Sequence, residues 1–127
     1  MIVHIGSNAA RLPQPGALAY ASAKAALATY SKGLANQMGV HNIRVNLVSP
    51  GVIESAALGR RPQQLADENN TDIATARNQF ASSFDIPLGR VGSADDVAEL
   101  VTFLASPRAK YITGTNHVID GGLLPTV

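Results

Sequence analysis

The sequence predicts an α/β fold built on a parallel, doubly wound sheet. Three observations predict it. Short β-branched runs recur along the chain, helix-forming stretches separate them, and the runs end at glycine, proline or serine. Strands alternating with helices are joined by right-handed crossovers, and in such sheets a site forms beyond the carboxyl ends of the strands.

The opening stretch "MIVHIGS" is short and β-branched and stops at Gly6 and Ser7, as a buried strand does. "ARLPQPGAL" carries two prolines and a glycine and is a loop. Leu18 to Met38 is rich in alanine, spaces Leu27, Tyr30, Leu34 and Met38 at helical intervals, and meets a C-cap at Gly39. "IRVNLVSPG" is the next strand, running through Ile43, Val45, Leu47 and Val48 to the stop at Pro50-Gly51. Residues 52–88 are polar, with weak helical spacing through Leu65, Ile73 and Phe80, which predicts a mobile helical flap. Ser93 then caps a clear helix. Asp95, Asp96 and Glu99 lie near its positive end, and Val97, Leu100, Val101 and Leu104 form its apolar face. "HVIDGG" is the last strand. The predicted order is strand–helix–strand–helix–helix–strand, with Ser7, Pro50-Gly51 and Asp120-Gly121-Gly122 at strand ends.

Composition narrows the function. The 127 residues are 46% hydrophobic and 15% charged, enough apolar matter for an ordered core. A net charge of +1 gives no electrostatic reason to expect a nucleic-acid or membrane partner. The absence of cysteine excludes disulfides and thiolate chemistry, and His4, His41 and His117 are too scattered to predict a metal site. No apolar run approaches the length that spans a bilayer, and "MIVHIGS" lacks the features of a signal peptide, so a cytoplasmic protein is expected.

The stretch "YASAKAALATYSKGLA" carries the chemistry. Tyr20 and Lys24 are four residues apart, hence on one face of a helix. An ammonium beside a phenol favours the phenolate, and a tyrosine tuned in this way exchanges protons with a substrate near neutral pH. By contrast Ser22 points elsewhere on the helix and is expected to pack. Arg90 is expected to tie its segment to a carbonyl or carboxylate. Arg60, Arg61 and Glu54 read as solvated charges.

Five stretches in order, "IVHIGS", "YASAK", "IRVNLVSPG", "IPLGRVGSADDVAELVTFLAS" and "YITGTNHVIDGG", resemble the short-chain dehydrogenase/reductase family over residues 2–122. The resemblance implies a Rossmann-like sheet and hydride transfer between a nicotinamide, NAD or NADP, and a carbonyl or alcohol carbon. It implies that Ser7 hydrogen-bonds the substrate oxygen, that Tyr20 is the general acid or base, and that Lys24 lowers the tyrosine pKa and binds the nicotinamide ribose. It also implies that Pro50, Gly51, Ile53 and Ser55 touch the nicotinamide carboxamide, with Ser55 standing where the family usually has threonine. Asn46 and Asp120-Gly121-Gly122 are read as architectural.

The family's glycine-rich turn, which cradles the pyrophosphate at a helix N-terminus, does not occur in this sequence: before Tyr20 there are only Gly6 and Gly16. The expectation is therefore a single partial domain, residues 1–127, equivalent to the C-terminal half of the family's fold with the cofactor-binding half absent, and with Met1 an internal methionine or the edge of a truncated frame. Its first strand is then an unpaired parallel edge, and the isolated monomer is expected to be poorly stable. Two functional classes follow. One is an oxidoreductase half acting on a small, moderately apolar alcohol or ketone. The other is an inactive fragment or association module. In either case a homo-oligomer is expected through the helix 18–38, whose Ala21, Ala25, Ala28 and Ala35 allow close helix approach. Leu58, Leu65, Ile73, Phe80 and Phe84 are candidate apolar contacts in the segment walling the pocket.

Overall fold

The computed structural model describes residues 1–55 and 60–125; Leu58 lies outside them. Among the described residues three parallel strands, β1 (Ile2–Ile5), β2 (Val45–Pro50) and β3 (Asn116–Ile119), form one sheet in the order β1-β2-β3. Ile2 pairs with Val45 and Ile5 with Val48; Leu47 pairs with Asn116 and Pro50 with Ile119. Helix α1 (Leu18–Met38) follows β1 and packs on β2, while α4 (Ala94–Ala105) packs on β1 and β2. Helices α2 (Arg60–Asn69) and α3 (Ile73–Ser82) pack on each other.

The central strand is apolar because every surface of it is covered. Val45 to Ser49 are all buried, and alternate side chains serve opposite faces of the sheet. Val48 joins Leu104 of α4 and Ala109 in a core whose rim includes Val3, Val97, Leu100, Val101 and Ile119. The buried amide of this strand is satisfied locally, whereas the buried Ser49 hydroxyl has no hydrogen-bond partner among the described residues. Asn46 is fully buried; its amide donates to the Ile112 carbonyl at 2.9 Å, and its Oδ1 accepts from the Thr115 hydroxyl at 3.0 Å. That is the architectural role expected of it. Arg44, just before the strand, donates to the carbonyls of Leu104 (2.9 Å) and Ser106 (3.3 Å), which close the C-terminal end of α4.

Three expectations are corrected. The segment after β2 is not one weakly helical flap but two helices, so three helices rather than two separate β2 from β3. Asn70 breaks the run in the left-handed region (φ 51°), and Asp72 restarts it, its Oδ1 accepting from the backbone N–H groups of Ala74 (2.9 Å) and Thr75 (3.0 Å). Hydrophobic spacing misses such a break because the polar capping residues carry the signal. The second correction concerns α1. Its buried positions are Ala21, Ser31 and Ala35, whereas Tyr30 is 60% exposed and Leu27, Leu34 and Met38 are half-buried. Small residues face the chain's own fold: a methyl on Gly114 would stand 3.5 Å from the Ala35 Cβ. Ala21 and Ala35 therefore serve close packing within this chain and are covered before any second helix arrives. Third, Ser22 is exposed rather than packed. The cap at Ser93 is as expected, with Ser93 Oγ accepting from Asp96 N (3.1 Å) and Asp96 accepting from Ser93 N (2.8 Å).

Candidate active site

The carboxyl ends of β1 and β2 open onto a cleft of about 600 Å³. Ser7, two residues past β1, is buried, and its Oγ accepts from Ala9 N at 3.2 Å, capping the short turn Asn8–Ala10. That acceptor role leaves the O–H able to donate. Tyr20, in the first turn of α1, is 52% exposed, so its ring is a wall of the cleft rather than a piece of core. Lys24 lies one turn further along. Its Nζ donates to the carbonyl of Ile5 at 2.9 Å and stands 5.7 Å from the centre of the Tyr20 ring. The i,i+4 spacing thus does bring cation and phenol together.

The opposite wall begins where β2 ends. Gly51 N donates to the Ile119 carbonyl at 3.0 Å, and a Cβ on Gly51 would lie 2.5 Å from the Asp120 Cβ. Glycine is required there by the close approach of two backbones. Asp120 holds its own turn, accepting from Gly122 N (3.0 Å) and Leu124 N (2.9 Å). Next, Ile53 bridges to Gly92, flanked by the bonds Glu54 N to Gly92 O (2.7 Å) and Gly92 N to Val52 O (2.9 Å). Residues 51–54 are therefore clamped between the turn after β3 and the start of α4.

Ser7, Tyr20, Lys24, Pro50, Gly51 and Ile53 all line the cleft. Ser55 does not, contrary to the expectation for it: it is exposed, immediately beyond the clamp. Val52, Phe84 and Ala94 complete the wall together with Val97. Val52 and Ala94 carried no signal in the sequence. Phe84 carried one, its i,i+4 spacing from Phe80, and the two rings stack edge-to-face with centres 5.0 Å apart.

The charges outside the cleft behave as solvated pairs. Arg77 lies 3.5 Å from Glu54 and Arg61 3.2 Å from Glu68. Arg90 meets Asp96 through two bonds, of 2.8 and 3.1 Å, the carboxylate contact expected of it. The Arg90 guanidinium, followed by the backbone N–H and hydroxyl of Ser93, holds the Asp96 carboxyl far below the usual carboxylate range. Among the described residues no group of histidines and carboxylates is arranged to hold a metal, and no helix is long and apolar enough to cross a membrane.

Residues 1–124 match the family described as enoyl-(acyl carrier protein) reductase. The chain belongs to the short-chain dehydrogenase/reductase family. It is 36% identical over 122 residues to the 3-oxoacyl-(acyl-carrier-protein) reductase of Haemophilus influenzae, covering 96% of this chain and 45% of that protein. It is 38% identical over 121 residues to the 2,3-dihydro-2,3-dihydroxybenzoate dehydrogenase of Bacillus subtilis, covering 95% and 45%. Among solved structures it is similar to the apo form of a short-chain oxidoreductase of Pseudomonas aeruginosa that contains an atypical catalytic center (TM-score 0.90, 32% identity, 98% of this chain and 47% of that one). It is also similar to the L-sorbose reductase of Gluconobacter frateurii complexed with NADPH and L-sorbose (TM-score 0.88, 33% identity, 98% and 47%). The chain spans about half the length of the curated relatives it matches.

Relatives in the family bind NADPH, and the residues of this cleft fit the nicotinamide end of such a cofactor. A serine hydroxyl, a phenol and an ammonium line the same cleft as Pro50, Gly51 and Ile53. The described residues include no glycine-rich turn opening a helix that would fit the pyrophosphate.

Proposed function

We propose that this chain carries the catalytic and substrate-binding half of a nicotinamide-dependent oxidoreductase acting between a carbonyl and an alcohol carbon. The observation that supports this best is the meeting of Ser7, Tyr20 and Lys24 in one cleft at the carboxyl ends of two parallel strands. When bound, NAD or NADP supplies or accepts the hydride. The chain's own groups manage the substrate oxygen. As a carbonyl is reduced, negative charge grows on that oxygen. The Ser7 hydroxyl donates a hydrogen bond to it, and this donor strengthens as the charge develops. Tyr20 delivers its phenolic proton to the same oxygen; in the oxidative direction it removes the alcohol proton. Lys24 steadies the tyrosine from the adjacent turn, and of its three ammonium hydrogens one goes to Ile5 O, so the others suit ribose hydroxyls. Pro50, Gly51 and Ile53 form the wall for the nicotinamide carboxamide. The substrate is a small alcohol or ketone, the compartment the cytoplasm, and the choice between NAD and NADP falls to residues outside this cleft.

A second reading treats the chain as an association module that pairs with another copy through α1. It is favoured by the apolar groups α1 and its end leave exposed: Leu18 at 70%, Tyr30 at 60% and Val40 at 85%. Titrating NADPH into the purified chain, with Lys24→Ala and Tyr20→Phe alongside, separates the two. Saturable binding that weakens in Lys24→Ala is the expected result. No binding even at millimolar cofactor overturns the enzymatic reading for this chain and leaves the association module.

A further inference from the structure

A second cavity, of about 400 Å³, adjoins the cleft of Ser7, Tyr20 and Lys24; Val52 and Phe84 line both, so the two meet at these side chains. Its lining is of a different character. Asn8, Gln14, Ser83 and Asp85 bring polar groups to it from two separate parts of the chain. The Asn8 and Gln14 amides and the Asp85 carboxylate form no side-chain hydrogen bond or ion pair among the described residues. Asp85 is the sole charged side chain among the described lining residues, and positions 56–59 carry no charge in the sequence.

The position of Asp85 is not one that the fold asks an acid to fill. It lies two residues past Ser83, the C-cap of α3, where the helix presents its negative end and an anion is unfavourable. Its backbone is in the left-handed region (φ 50°), which asparagine or glycine adopts as readily without adding a charge. Only the helix end opposes the charge, since aspartate like asparagine adopts the left-handed backbone, and the exposed, unpaired Asp85 carboxylate on the cavity wall is available to what enters.

Building on the oxidoreductase reading above, we propose that this cavity receives the distal arm of the substrate, and that the arm bears hydrogen-bond donors. An ammonium is preferred to a hydroxyl, and both to a carboxylate or phosphate. The reacting carbon lies by Ser7 and Tyr20, the apolar middle of the molecule passes Val52 and Phe84, and the donors reach Asp85, with Asn8 and Gln14 accepting or donating as the arm requires. An anionic arm would bring two like charges together without a cation among the described lining residues to offset them.

Four secondary alcohols of one length test this by their effect on the amide spectrum of the isotope-labelled chain: 5-amino-2-pentanol, 1,4-pentanediol, 2-pentanol and 4-hydroxypentanoate. The expected order of affinity is amine, diol, alkyl, carboxylate, with roughly tenfold between the first and the last. Asp85→Asn, which keeps the left-handed backbone, is expected to bring amine and carboxylate within about twofold of each other. Probes that shift Ser7 and Tyr20 without this order, or with the order unchanged in Asp85→Asn, overturn the donor-arm assignment while leaving the cleft reading intact. Probes that leave Ser7 and Tyr20 unshifted overturn both.

Discussion

The ammonium of Lys24 is bonded to the carbonyl of Ile5, the last residue of β1, across 2.9 Å. The residue expected to act on a cofactor is thus also a clip between the helix that carries Tyr20 and the strand that leads to Ser7. Lys24→Met keeps the stem and removes the clip. It is expected to cost about 1 kcal/mol of stability in a denaturant titration and to weaken NADPH binding in the same sample. A loss of stability with cofactor binding intact would reduce Lys24 to a structural role.

Leu104 is fully buried in the core with Val48 and Ala109. Leu104→Ala is expected to cost about 2–5 kcal/mol, read from the midpoint of chemical unfolding. This is the largest loss expected from any single truncation of an aliphatic side chain in α4, since Val97, Leu100 and Val101 are only half-buried and the other apolar residues of that helix are exposed.

Gly51→Ala places a methyl within 2.5 Å of the Asp120 Cβ and 2.8 Å of its Cα. Backbone must move to admit it, so a cost of about 1–3 kcal/mol is expected from thermal or chemical melts. Amide shifts are expected to spread from residue 51 to the turn at Asp120, the two backbones that the missing side chain lets approach.

Asp96 sets an acid limit. Its carboxyl titrates well below the ordinary aspartate value of about 4 because the folded state bonds the ionised form to Arg90 and Ser93. The unfolded chain therefore takes up this proton first as pH falls. The contribution of Asp96 to stability is full above the ordinary value and is lost progressively below it, down to the depressed one. Asp96→Asn is expected to lower the melting temperature at neutral pH and to flatten its decline in acid. An unchanged acid slope would sink this account.

Much of this was legible in the residues. The bounds of α1, the cap at Ser93 and the three strands follow from periodicity and stop signals, and the Tyr20–Lys24 contact follows from helical spacing alone. What was not legible depends on partners distant in sequence. That α1 buries Ala21, Ser31 and Ala35 instead of its larger residues is a consequence of how closely it lies on the sheet, and spacing cannot report that distance. The break at Asn70 to Asp72 was hidden because capping is local hydrogen-bond chemistry without apolar periodicity. Val52 and Ala94 became cleft residues only through the clamp between residues 51–54 and Gly92.

The central place of β2 orders the assembly of the molecule. Pairing Ile2 with Val45 closes a shorter loop than pairing Leu47 with Asn116, and the entropy lost on closure rises with loop length. The unit β1–α1–β2, which holds Ser7, Tyr20 and Lys24, is thereby expected to form first, with β3 docking later. One face of the cleft is then in place before the other, and a chain caught between these stages holds its proton-handling residues together with the second wall not yet built.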